Sequence, residues 1–147
     1  MKITEALLAE HIVFHSVFDH LERTVPRHRT LAEVRSVARL LEAILKAHSD
    51  KEDELVFAPL EHCLAQIGQS EILDEEHHEI EESLVLAQKT PTVAKARRLL
   101  LNAVVSSRKH FDKEERLVFP LAEKVLKAKT LTELGKTWME QRKAVVA

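Results

Sequence analysis

The stretch His48-Ser49-Asp50-Lys51-Glu52-Asp53-Glu54-Leu55-Val56-Phe57 recurs 62 residues further on as His110-Phe111-Asp112-Lys113-Glu114-Glu115-Arg116-Leu117-Val118-Phe119. Seven of the ten aligned positions are identical. Each copy sets a histidine four residues before a glutamate, and each runs on into a proline, Pro59 or Pro120. On a helix, side chains four apart share one face, offset by about 6 Å along the axis. An imidazole and a carboxylate so placed can hold one ion, or the carboxylate can reach across to a second. The repeated element is therefore a ligand pair rather than a packing motif.

Working outward, helical periodicity covers nearly the whole chain. Leu7, Leu8, His11, Phe14, His15, Phe18 and Leu21 follow at spacings of three and four, on a first helix capped near Thr4 and ended by Pro26. The second begins at a capping box, Thr30 with Glu33. It carries Leu41, Leu45, His48 and Glu52 inward, and Pro59 should kink or end it, with a further turn or two before Gly68. The third runs from near Ser70 to Lys89, with Leu73, His77, Ile80, Glu81 and Leu84 on one stripe. The fourth starts at about Pro91 and carries Leu100, Ser107, His110 and Glu114 toward Pro120. A second capping box, Thr130 with Glu133, predicts a short fifth helix bearing Leu131, Leu134 and Trp138 over one end of the core. Short connections imply antiparallel neighbours. The expected architecture is all-α: an up-down-up-down four-helix bundle with a short C-terminal fifth helix, one domain over 1–147.

The histidine levels agree across the predicted helices. His48 lies 18 residues after Thr30 and His110 lies 19 after Pro91, about 27–28 Å down each helix. His15 to His48 and His77 to His110 are both separations of 33. The two hairpins read as halves related by a pseudo-twofold axis. Glu52 and Glu114 occupy positions where an inward stripe wants leucine. Buried carboxylates and imidazoles are costly unless paired or bound to a cation. Two divalent ions would neutralise the carboxylates and keep the histidines neutral. A mixed imidazole–carboxylate set suits iron, with manganese or zinc as substitutes. The candidate ligands are His11, His15, His48, Glu52, His77, Glu81, His110 and Glu114. On the first helix the repeat aligns His15 with His77, so His11 and His15 both stand.

The bulk composition narrows the alternatives. The 147 residues carry a formal net charge of -2, which supplies no basic surface for nucleic acid or an anionic membrane. No apolar run approaches the ~18 residues of a membrane span, and the N-terminus lacks a signal-peptide pattern. Cys63 is alone, so a reducing, cytoplasmic setting is expected. The expected state is a monomer or weak homo-oligomer.

With Glu10-His11, His48 to Glu52, Glu76-His77, His110 to Glu114, the Leu-Val-Phe-Pro run and the closing Leu134-Gly135 with Arg142, the sequence resembles the hemerythrin-like family of cation-binding domains. The resemblance covers nearly the whole chain. It implies two iron ions bridged by carboxylates, with an open position for a small diatomic or peroxide ligand. It implies that His11 and His48 serve one ion, His77 and His110 the other, and that Glu52 and Glu114 bridge. The sequence departs from the oxygen carriers of the family in three ways. Glu81 stands where a second histidine is expected, the helix-four carboxylate lies at four residues (Glu114) with Glu115 at five, and His15 is extra. The carboxylate-rich set favours the ferric state, hence oxidation chemistry, peroxide consumption or iron handling over reversible oxygen carriage. The leading expectation is a di-iron protein that binds or reacts with O2, peroxide or nitric oxide, with weak peroxidase, catalase-like or oxidase activity left open; the competing functions are an iron-binding, sensing or handling module without turnover and a purely structural or partner-binding bundle. No tyrosine is present, and Ser107 is a weak candidate proton donor.

Overall fold

The computed structural model describes residues 1–146; Ala147, the last residue of the predicted domain, lies outside the described residues. Seven α-helical segments follow one another: α1 (Ile3–Thr24), α2 (Leu31–Glu52), α3 (Ala58–Gln66), α4 (Ser70–Lys89), α5 (Val93–Lys113), α6 (Phe119–Val125) and α7 (Ala128–Val146). Two five-residue π segments, Asp53–Phe57 and Glu114–Val118, join α2 to α3 and α5 to α6. The backbone keeps helical dihedrals through both joins, so these pairs form continuous rods. The result is the expected helical bundle with an additional C-terminal helix.

Hydrophobic burial divides into two clusters, and their membership gives the topology. Phe18, Leu41, Leu84 and Leu100 belong to one cluster; Leu7, Leu55, Leu73 and Val118 belong to the other. Along α1 the chain passes from the second cluster to the first, along α2 back again, along α4 forward and along α5 back. Successive rods therefore run up, down, up and down. Each passes between the clusters at one residue or pair: His11, His48 with Glu52, His77, and His110 with Glu114.

The prolines are accommodated rather than disruptive. In an α-helix the Pro59 ring would collide with the carbonyl four residues back. Instead the Ala58 N–H bonds to Asp53 O and the Phe119 N–H to Glu114 O, each five residues back. This wider turn opens the carbonyl row just ahead of each proline, so the second rod does not end at Pro59 but continues to Gln66.

Helix ends otherwise follow local chemistry. Thr30 accepts from the Glu33 N–H at 3.2 Å and Thr92 from the Lys95 N–H at 3.4 Å. The helix expected from Pro91 thus begins at Val93, with Thr92 as its cap. Gly68 adopts φ +72° and closes α3, where the Gln69 N–H bonds to Leu64 O. Thr4 is no cap: it is buried inside α1 and donates to Glu123 Oε1 at 2.8 Å. The Thr130–Glu133 box is likewise unused, because α7 already starts at Ala128 and runs for 19 residues rather than forming a short helix. Its Leu131, Leu134 and Trp138 do cover the second cluster. At the opposite end of the bundle, Arg97 donates to His28 O at 2.7 Å and Arg35 to Thr90 O at 3.0 Å, tying the two hairpin connections together.

A groove of about 400 Å³ opens between α1 and α2, lined by Glu10, Val13, Phe14, Val17, Ile44, Ala47, His48 and Arg142.

Candidate metal centre

Between the two apolar clusters lies a layer of buried polar side chains. His11, His48, Glu52, His110 and Glu114 are each at most 2% exposed. The Nε2 atoms of His11 and His48 stand 3.1 Å apart. Glu52 places Oε1 at 3.2 Å from His48 Nε2 and Oε2 at 3.4 Å from His11 Nε2; it also reaches His77 Nε2 at 3.9 Å. Glu114 mirrors it, with Oε2 at 3.3 Å from His110 Nε2 and 4.0 Å from His77 Nε2, and Oε1 at 3.4 Å from His11 Nε2. Each glutamate therefore spans both halves of the layer.

The histidines are oriented from behind. His48 Nδ1 donates to Glu10 Oε1 at 3.0 Å, His110 Nδ1 to Glu76 Oε1 at 3.0 Å, and His11 Nδ1 to Glu115 Oε2 at 3.1 Å. Asp53 stands behind His77, but at 3.7 Å. Two of these carboxylates are themselves held by cations. Arg142 Nη2 donates to both oxygens of Glu10, at 3.0 and 2.8 Å, and Lys113 Nζ to Glu76 Oε2 at 2.7 Å.

This arrangement fixes tautomers. A neutral histidine, the form in which imidazole binds a metal, leaves Nε2 as a bare lone pair when it donates Nδ1–H to a carboxylate. Those lone pairs converge on one another and on acceptor-only carboxylates. Buried polar atoms at the centre of the layer, both oxygens of Glu52 and of Glu114 and Nε2 of His77 and His110, have no hydrogen-bond partner. Acceptors facing acceptors in a dry layer call for a cation, and the donor set fits one. His11, His48, Glu52 and Glu114 bring one ligand atom each within 4.8 Å of one another, and so do His77, His110 and Glu114.

The metal-free electrostatics express the same tension. Burial opposes protonation of His11, but Glu114 and Glu52 outweigh it and raise its pKa to about 9. For His48, burial is likewise outweighed by Glu52 and Glu10, and its pKa rises to about 10. His77 moves the other way, to about 4, through burial and the nearby His110. Burial and the Glu52 charge push Glu114 well above the usual carboxylate range, while the His48 and His11 charges override burial to hold Glu52 well below it. Burial and the Glu52 charge also push Asp53 up to about 6.

Of the eight candidate ligands, six meet in this layer. His15 does not: it accepts from Arg108 Nη1 at 3.0 Å and its Nε2 faces Glu115 at 3.8 Å, outside the convergent set. The Phe111 ring stacked on His11 at 3.8 Å, with His15 on its edge, separates the two. Glu81 is exposed and lines the rim of a small cavity beside His77. Sequence reasoning did not anticipate the carboxylates behind the imidazoles or the cations behind those. The Glu-His dipeptides were the available signal, and each glutamate serves the histidine of the next helix rather than its own neighbour.

Aromatic rings enclose the His11–His48 side. Phe14 meets His48 edge-on at 5.2 Å and Phe119 lies 5.4 Å from His11. Among the described residues, no helix is long and apolar enough to cross a membrane.

A sequence model of the hemerythrin HHE cation binding domain matches residues 2–122 and 68–145, together nearly the whole chain. Among curated proteins and solved structures nothing matches significantly. The buried layer of histidines and glutamates could hold a cation, in keeping with that description, and the chain belongs to the hemerythrin HHE cation-binding family.

Proposed function

We propose that this protein is a non-heme di-iron protein that binds or reacts with a small oxidant: dioxygen, peroxide or nitric oxide. In this reading His11 and His48 hold one ion and His77 and His110 the other, with Glu52 and Glu114 bridging; manganese or zinc are the substitutes the same donors would accept. One observation carries it: both glutamates approach histidines of both halves, so a pair of ions could share them. The bound ions would supply redox and Lewis-acid chemistry.

The chain's own residues contribute orientation and exclusion of water. Glu10, Glu76 and Glu115 hold three imidazoles with Nε2 inward. Phe14, Phe111 and Phe119 keep solvent from the His11–His48 side. Arg142 and Lys113 hold the supporting carboxylates ionised; His48 and Arg142 keep Glu10 below its usual range against the opposing effect of burial.

The test is anaerobic loading with ferrous iron followed by oxidation. Two ions per chain and a near-ultraviolet absorption from a bridged ferric pair are expected. Fewer than two ions per chain would sink the reading. Peroxide consumption no faster than free iron, with full loading, would mark a binding or sensing module without turnover.

A further inference from the structure

Charge is divided unevenly between the two ends of the bundle. Residues 23–35, around the α1–α2 connection, and 89–98, around the α4–α5 connection, hold eight of the chain's 22 lysines and arginines. They hold one of its 24 acidic residues, Glu33. The Arg97 bond to His28 O and the Arg35 bond to Thr90 O draw both segments onto one end. The rest of the chain carries 14 cations against 23 carboxylates. The net charge of -2, which by itself offers no basic surface, therefore conceals a basic pole on an acidic body.

Fold stability does not account for this pole. Arg35 and Arg97 are half-buried and serve as ties, but Arg23, Arg27, Arg29, Lys89, Lys95 and Arg98 are exposed. Among the described residues none of the eight makes an ion pair; the cations that do pair, Lys46 and Arg142 among them, lie elsewhere. The nearby carboxylates are engaged: Glu33 Oε1 accepts from Thr30 Oγ1 at 2.9 Å, and Glu22 is held by Arg108 at 2.9 Å. The helix dipole favours Arg23 and Lys89, in the last turns of α1 and α4, but disfavours Lys95 in the first turn of α5. Unpaired like charges gathered this way destabilise the compact state through self-repulsion.

We infer that this pole is a docking surface for duplex nucleic acid, which it grips by the phosphate backbone without reading the bases. Six of the eight cations are arginines, whose planar fork suits phosphate oxygens. The two segments contain no Phe, Trp or Tyr, so no platform is present on which unpaired bases could stack. They also contain no exposed large hydrophobic residue, which leaves nothing to insert into a lipid surface and no apolar centre for a protein interface. With helix axes roughly 8–10 Å apart, the end of the bundle is about 20 Å across. That length of duplex presents roughly 12 phosphates, about half of them on one side, in keeping with the exposed cations. The buried layer lies about 27 Å down α2 and α5, too far for the docked polymer to cover it. The inference therefore stands whether or not ions occupy that layer.

The experiment measures fluorescence anisotropy of labelled DNA and RNA duplexes of about 20 base pairs, of arbitrary sequence, titrated with the full chain between about 20 and 200 mM salt. Binding to at least one duplex is expected, insensitive to its sequence, with log K falling against log salt at a slope of about -5. Arg27→Ala combined with Arg98→Ala should weaken binding about tenfold at low salt and flatten that slope by about 2. Both side chains are exposed, so circular dichroism should show an unchanged fold. Lys124→Ala with Lys136→Ala, on the acidic body, should leave both readouts unchanged. Binding to neither duplex at the lowest salt would overturn the inference, as would an unaltered slope in the Arg27 and Arg98 variant. Tighter binding to vesicles of phosphatidylserine and phosphatidylcholine in equal parts would assign the pole to a membrane instead. Self-association at low salt that the same two substitutions abolish, without duplex binding, would assign it to the acidic body of a second copy. Either result would replace the nucleic-acid reading.

Discussion

Glu10 and Glu76 each sit one residue before a histidine, yet each braces a different one. Successive residues on a helix point about 100° apart, so the glutamate faces the neighbouring helix while its own histidine faces the centre. Asp53 and Glu115 follow Glu52 and Glu114 by one residue and brace across the halves, Glu115 to His11 and Asp53 toward His77. Glu52 and Glu114 are equivalent in the repeat but not in charge. Glu114 is pushed toward its neutral form by burial and by Glu52, whereas Glu52 is held ionised by His48 and His11. Two isosteric substitutions should therefore behave differently in the metal-free chain. Glu114→Gln replaces a neutral group by a neutral group and should change stability by less than about 1 kcal/mol. Glu52→Gln leaves His11 and His48 without their anion and should cost about 3–5 kcal/mol. Urea denaturation of the metal-free variants measures both, and equal losses would contradict the charge assignment. Both substitutions should lower metal content.

At the scale of elements, each repeat carries a His-x-x-x-Glu pair, a π segment that starts just after the glutamate in the first copy and at the glutamate in the second, and then a proline. The π segment fits an extra residue into the rod while keeping the ligands upstream and the apolar residues downstream facing inward. α7 is held differently. Gly135 is buried against the first residues of the chain, and a Cβ there would lie 2.0 Å from the Met1 carbonyl oxygen. Exposed helical glycines usually gain about 1 kcal/mol on replacement by alanine. Gly135→Ala should instead destabilise by about 1–3 kcal/mol, through separation of α7 from α1. Hydrogen exchange should quicken along α7 first, taking with it the Arg142 contact to Glu10; a thermally stabilised variant would refute this packing account.

Across the whole molecule, protons and metal ions compete for one layer. In the folded metal-free chain His11 and His48 stay protonated to about 9 and about 10, against an ordinary 6.5. Above pH 6.5 the folded chain thus binds more protons than the unfolded one. The stability these groups contribute is fully present below pH 6.5 and is lost as pH rises through 9 to 10. The denaturation midpoint of the metal-free chain should fall over that window. Ions displace these protons, so stabilisation by metal should grow over the same window. Midpoints at pH 6, 8 and 10, with and without a chelator, check both slopes; a flat metal-free profile would show that the imidazoles do not carry the charge.

Periodicity alone was enough to place five rods, their order and the depth of His48 and His110, because helical register is a local property with a fixed rise. Spacing also made Glu52 and Glu114 conspicuous, since a carboxylate on an apolar stripe is costly without a partner. It could not separate His11 from His15, which both follow the first helix's three-and-four spacing. Packing separates them: Phe111, from the far end of the chain, stacks on His11 and leaves His15 to Arg108. Local signals also misplaced helix ends, as at Thr130, where α7 starts two residues earlier. The supporting carboxylates, the long reach of α7 and the gathering of cations at one pole are products of rods meeting rods. Periodicity within one helix specifies which face turns inward, but only the packed bundle determines what that face meets.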